Sequence, residues 1–248
     1  MASSYLLLIV AAFVAGLMNS VACGGSFLTF PALVFTGVPS IVANATSTVA
    51  LFPGTFASAW AYRRDLKGLG IIPLPAGIAV SVAGGVTGAL LLLFTSQHTF
   101  DVIIPWLLLL ATLTFTFGQR IAAMFERKVL IGSKSVIVLQ FLLAIYGGYF
   151  GGAVGLLMLA LWTLIGINDI HSMNAGKTLL AGTMNAGAVV CFIIAGKVWW
   201  LETVVMIIGA IAGGYAGARL AKRVNVSWIR GFIIALSVVV TIIFFVRA

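Results

Sequence analysis

The sequence predicts an all-α, polytopic transmembrane helix bundle built from two internal repeats. Three observations predict it: an apolar composition, a series of hydrophobic segments of bilayer length, and glycine-rich interruptions that recur in both halves. Of 248 residues, 62% are hydrophobic and 8% charged, whereas soluble domains hold roughly 45–50% and 25%. Water is therefore not the main solvent of this chain.

The first apolar segment covers residues 5–22. No lysine or arginine precedes Tyr5, so the basic start of a secretory signal is missing and the segment is read as a membrane helix. The longer segments that follow cover 41–62, 70–94, 101–118, 133–150, 172–195, 201–221 and 227–246. Each approaches or exceeds the roughly 20 residues that cross hydrocarbon, giving eight expected long spans. Two further segments, 26–36 and 153–166, are too short at ~1.5 Å per residue to cross roughly 30 Å. They are expected to be half-helices or re-entrant segments.

Each short piece follows a glycine-rich break, Cys23-Gly24-Gly25-Ser26 in one half and Gly147-Gly148-Tyr149-Phe150-Gly151-Gly152 in the other. The stretches Ala83–Ala89 and Ala212–Ala218 match at five of seven positions, 129 residues apart. A shift of one residue then pairs Asn44 with Asn174, Thr48 with Thr178 and Lys67 with Lys197. An internal duplication explains these matches. It divides a single membrane domain, 1–248, into repeat one (1–120), a cytoplasmic linker (119–134, carrying Glu126-Arg127-Lys128) and repeat two (133–248).

Four crossings per half would make the repeats parallel, and five would make them inverted. The inverted version places Arg219, Lys222, Arg223 and Arg230 at the cytoplasmic face together with Arg63, Arg64 and Lys67, as the positive-inside rule prefers. It is the favoured arrangement. The net charge of +9 is thus topogenic. Without a basic surface interleaved with aromatics, a nucleic-acid partner is not expected.

Backbone interrupted within hydrocarbon must be enclosed by protein or line a water-filled cavity. Two breaks at corresponding positions therefore predict a buried cavity, and free amides at the starts of broken helices favour an anion there. On the longer helix that follows each short piece, residues about 100° apart gather polar side chains on one face. One stripe holds Asn44, Ser47, Thr48, Leu51, Thr55 and Ser58, and the other holds Asn174, Lys177, Thr178, Ala181 and Asn185. Single polar residues often only join helices. An ammonium about two turns inside an apolar helix is costlier, so Lys177 is a candidate for neutralising an anion, with snorkelling as its structural alternative.

The five acidic residues all lie in loops or at segment ends, which disfavours a cation site. His171 reads as a helix-cap or interfacial residue, His98 as a loop residue. Cys23 and Cys191, far apart, form neither a disulfide framework nor a metal spacing. The sequence lacks a His-Glu-x-x-His motif, a nucleophile elbow and a Walker loop, because Gly176-Lys177-Thr178 has no upstream glycine at the required position. Neither enzymatic activity, a cofactor nor a metal is expected.

The run Asn19-Ser20-Val21-Ala22-Cys23-Gly24-Gly25-Ser26-Phe27-Leu28-Thr29-Phe30-Pro31, with Gly37-Val38-Pro39 and Ala43-Asn44-Ala45-Thr46-Ser47, resembles the TauE/SafE family. So does Asn174-Ala175-Gly176-Lys177, continuing through Asn185 to Ala195-Gly196-Lys197-Val198-Trp199-Trp200. Cys23 departs from the small residue, often glycine, that many members carry there. The resemblance implies exporters of sulfite and organosulfonates, and hence a secondary transporter in a bacterial inner membrane. In this reading Asn19, Gly24, Gly25 and Ser26, with Gly151, Gly152 and Ala153, face the anion, Asn44, Thr48, Asn174 and Asn185 line the walls, and Lys177 supplies charge. The expected partners are a small anionic substrate and the lipid bilayer. An anion channel or a non-transporting membrane scaffold would share the same polar stripes.

Overall fold

The structure is a computed structural model and describes residues 2–21, 24–64, 66, 73–124, 132–167, 169–220 and 226–247. Among them the secondary structure is helical throughout. Ten helices follow in order: α1 Ala2–Val21, α2 Ser26–Phe35, α3 Ser40–Ala61, α4 Leu74–Phe94, α5 Gln97–Met124, α6 Ser133–Tyr149, α7 Val154–Leu164, α8 Ile170–Ile194, α9 Trp200–Leu220 and α10 Val226–Arg247. The two segments expected to be short are the two short helices, of 10 and 11 residues. Among the described residues, four stretches qualify as membrane spans by length and hydropathy: Leu74–Phe94, Gln97–Gly118, Ser172–Ile194 and Trp200–Gly217. Cys23, Lys67, the linker's 125–131, Lys222 and Arg223 lie outside the described residues.

Local chemistry sets the helix ends. Pro39 and Pro73 precede α3 and α4 in extended conformations, with ψ of 141° and 128°, where the ring's fixed φ leads the chain into a first turn. Helices α2, α7 and α8 stop alike. A left-handed glycine follows each, Gly37, Gly166 and Gly196, and the next amide reaches back to close a Schellman turn: Val38 to Leu33, Ile167 to Trp162 and Lys197 to Phe192, at 2.9–3.1 Å.

The helices pair in a regular scheme. Helix α1 packs on α9 and α6 on α4; α3 packs on α9 and α8 on α4; α5 packs on α7 and α2 on α10. Helices α3 and α8 touch each other, as do α5 and α10. The last two run antiparallel, because Trp106 stacks edge-on against Phe245 while Thr112 meets Thr241 nearer the other end of each helix.

Glycine sets the closest of these spacings. A Cβ on Gly88 would strike the Ile145 carbonyl of α6, and one on Gly213 the Phe13 carbonyl of α1, so the glycine-rich stretches act as helix contacts. Outward-facing positions carry large apolar side chains such as Leu6, Leu91, Phe94, Trp106 and Ile208. That surface suits lipid rather than water.

Candidate functional site

The two chain breaks are built differently. At the first, the Gly25 amide donates to Asn19 Oδ1 at 2.8 Å, so the end of α1 caps the start of α2. A Cβ on Gly25 would come within 2.8 Å of the Ala15 carbonyl oxygen, which makes glycine a packing requirement there. At the second, Gly151 and Ala153 both take left-handed backbone, φ 80° and 60°, and turn the chain from α6 into α7. Gly152 lies against Phe150, whose ring atom Cε1 would be 2.6 Å from an added Cβ.

Helix α3 holds both breaks. Thr29 and Ser47 hydroxyls meet at 2.6 Å in the interior, tying α2 to α3. Asn44, 2% exposed, donates its Nδ2 to the carbonyl of Tyr149 at 2.9 Å. That carbonyl ends α6 and has no partner within its own helix, so an α3 side chain satisfies it. Thr46 accepts the Trp199 amide at 3.1 Å, fixing the approach to α9.

A polar cavity of about 50 Å³ lies where these elements converge. Asn19 and Ser26 reach it from the first break, Gly151 and Val154 from the second. Thr48, Leu51, Thr55 and Ser58 line it from α3, and Thr178, Ala181 and Asn185 from α8. The volume holds a few waters or a small ion. Asn185 and Ser26 have no hydrogen-bond partner among the described residues.

Five of the twelve sequence-predicted residues thus line the cavity: Asn19, Ser26, Thr48, Gly151 and Asn185. Gly24, Gly25, Gly152 and Ala153 shape the corners beside it, and Asn44 clamps one of them. Asn174 and Lys177 are not in its lining. Lys177 is 2% exposed and donates to Asn174 Oδ1 at 3.0 Å, with no carboxylate partner among the described residues.

Thr55, Ser58, Leu51, Thr178 and Ala181 were legible as stripe members. Val154 carried no polar signal, although its place at the start of α7 corresponds to Ser26 at the start of α2. Among the described residues, no group of three or more His, Cys, Asp or Glu side chains could hold a metal. At the open end of α3, Asp101 accepts from Ser40 and from Gln97 (3.2 Å), joining α3 to the start of α5. Asp169 accepts the Ser172 amide at 3.4 Å and caps α8; the side chain of His171 lies outside the described residues.

The model of the sulfite exporter TauE/SafE family matches residues 8–244. The chain belongs to the TauE/SafE family. This TauE/SafE protein is also similar to the probable membrane transporter protein YfcA of Escherichia coli K12, 31% identical over 231 residues, covering 93% of this chain and 85% of that protein. It is 29% identical over 240 residues to the probable membrane transporter protein ORF9 of Sinorhizobium sp., covering 95% of this chain and 90% of the relative. A probable membrane transporter protein of Haemophilus influenzae is 26% identical over 234 residues, 92% of this chain and 89% of its own. The family is one of membrane transporters. Several apolar helices and the family together identify a multi-pass membrane protein.

Proposed function

We propose that this protein is a secondary transporter of a small anion, sulfite, an organosulfonate or a related sulfur oxyanion, working by alternating access in a bacterial inner membrane. The observation that carries this reading is the cavity's position: residues from both chain breaks and from the polar faces of α3 and α8 line the same small volume. Helix starts favour negative charge, although at α2 the amides of Gly25, Phe27, Leu28 and Thr29 already have partners, and broken helices in other transporters enclose substrate near the midplane.

Alternating access needs two halves that can exchange roles. The proposed halves are 1–120 and 133–248, joined by the linker at 119–134, each with four long helices and one short one. Thr112 and Thr241 are 129 residues apart, as are Gly84 and Gly213, and their hydroxyls meet at 3.0 Å between α5 and α10. Those two helices hold matching places and run in opposite directions, which supports inverted repeats and five crossings per half. The cavity itself is lined by matched pairs: Ser26 and Val154, Thr48 and Thr178, Leu51 and Ala181, Thr55 and Asn185. The same topology puts Arg63, Arg64, Arg120 and Lys134 on one side, the cytoplasmic one by the positive-inside rule.

In this reading, Asn19, Ser26, Thr48, Gly151 and Asn185 contact substrate. Gly24, Gly25, Gly152, Ala153 and Asn44 hold the corners, and Lys177 with Asn174 supplies positive potential from behind the wall. The test is sulfite and sulfonate flux into proteoliposomes. Saturable uptake that competing sulfur oxyanions inhibit is expected. Non-saturating conductance would make the protein a channel, and no flux of any oxyanion would leave a scaffold.

A further inference from the structure

The direction in which the cavity's hydrogen bonds run narrows the substrate; this rests on the transport reading above. A hydroxyl has one proton to give and two lone pairs. Thr48 Oγ1 gives its proton to the Asn44 carbonyl at 2.9 Å, and Thr55 Oγ1 to the Leu51 carbonyl at 3.2 Å. Ser58 Oγ donates to the Gly54 carbonyl at 3.0 Å, and Thr178 Oγ1 to the Asn174 carbonyl at 2.7 Å. All four protons point back into their own helices, so lone pairs are left for the cavity. Among the described residues, the hydroxyl of Ser26 and the amide of Asn185 are side-chain donors of the lining that have no partner, while Asn19 accepts the Gly25 amide and has a further interaction of its own. No lining residue carries a charge.

A bare oxyanion has only acceptors. Against this wall it finds two free side-chain donors and the helix starts, and elsewhere sets lone pair against lone pair. Turning a threonine hydroxyl to serve it breaks a bond already made. A dianion would also bring a second charge into a site whose lining has no cation to offset desolvation. A ligand with one negative charge and one proton-bearing group meets both parts of the wall without breaking anything.

We propose that the cavity selects monoanions that carry their own hydrogen-bond donor, as a protonated oxyanion or an amino- or hydroxyl-substituted one does. Thr48 and Thr178 are the specificity-determining residues that accept this donor. Their hydroxyls are the matched pair of the two halves, so each is placed to take the donor in turn as the halves exchange roles.

Sulfamate and methanesulfonate test the idea directly. Both are tetrahedral sulfonate monoanions of nearly one size, with an amino group in one where the other has a methyl. Binding of each to the purified full-length protein is measured by calorimetry, with counterflow in proteoliposomes as a second readout. Sulfamate is expected to bind about tenfold more tightly, which corresponds to about 1.4 kcal/mol. Thr48→Val and Thr178→Val should drive that ratio toward one, while Thr48→Ser and Thr178→Ser, which keep the hydroxyl, should retain it. Equal affinity of the unaltered protein for the two anions overturns this proposal and leaves anion transport standing. Binding of neither, with no sulfite flux, overturns both.

Discussion

Replacing Gly85 with alanine should loosen the bundle at the junction of three helices. An added Cβ would overlap the Met184 carbonyl oxygen of α8 and lie 2.9 Å from its carbonyl carbon and 3.0 Å from its Cα. Carbon atoms pack at about 3.5–4.0 Å, so α4 and α8 must part by roughly half an ångström or more. The obstacle is backbone, which no rotamer change can remove. Gly85 also receives Gly148 of α6, whose own Cβ would strike the Gly85 carbonyl, so α4 cannot back away from one neighbour without disturbing the other.

Overpacking of this kind costs about 1–3 kcal/mol, here at the upper end. Alanine's better helix propensity returns about 1 kcal/mol. The net loss of about 2 kcal/mol corresponds to a fall in melting temperature of roughly 4–8 °C for a chain of this size. Thermal unfolding in detergent, followed by size-exclusion fluorescence, measures it. Gly231→Ala is the control, because nothing lies within 4 Å of the added atom, and it should melt at or slightly above the parent. A Gly85→Ala protein that melts no lower than the parent would refute the claim that this glycine sets the spacing.

Asn44→Ala strips the Tyr149 carbonyl of its donor; an unsatisfied buried acceptor costs about 1–3 kcal/mol, so both melting temperature and oxyanion flux should fall, and unchanged values would mean that the corner holds itself. Tyr146→Phe removes a buried hydroxyl that has no partner among the described residues. It should leave stability unchanged or raise it by up to about 1 kcal/mol, and a clear drop in melting temperature would reveal a partner. Lys177→Met replaces a buried ammonium that makes one hydrogen bond. Stability should hold or rise, since an unpaired charge is costly in the interior, while oxyanion affinity falls at least about tenfold, or about 1.4 kcal/mol; unaltered affinity and flux would make the lysine structural.

The sequence carried the breaks and the stripes because glycine clusters and helical periodicity are local signals. Ser26–Phe35 and Val154–Leu164 appeared at nearly the expected limits, since Schellman glycines end them. Thr48 and Asn185 were legible for the same reason: a polar face on an apolar helix must meet something polar. Asn44 was legible as a polar residue but not as a clamp, because its partner is a backbone carbonyl 105 residues away. Lys177 and Asn174 shared a stripe with Thr178 on a helical wheel, yet they bond to each other and stay out of the cavity lining. A wheel gives an angle and not the width of the face a neighbour leaves open. Val154 was invisible, because only the partner half gives its position meaning.

Ala153 has a consequence for motion. It is the one non-glycine at positive φ among the described residues, fully buried, in a conformation that costs an alanine about 1–2 kcal/mol. Its own preference would straighten the chain, so the surrounding protein must keep it bent. A joint of that sort behaves as a sprung latch and not as a swivel. Any movement that frees the corner would release the stored bend, whereas one that carries α6 and α7 together as a single lever leaves it intact. Ala153→Gly would remove the spring and keep the shape, turning a latch into a loose hinge.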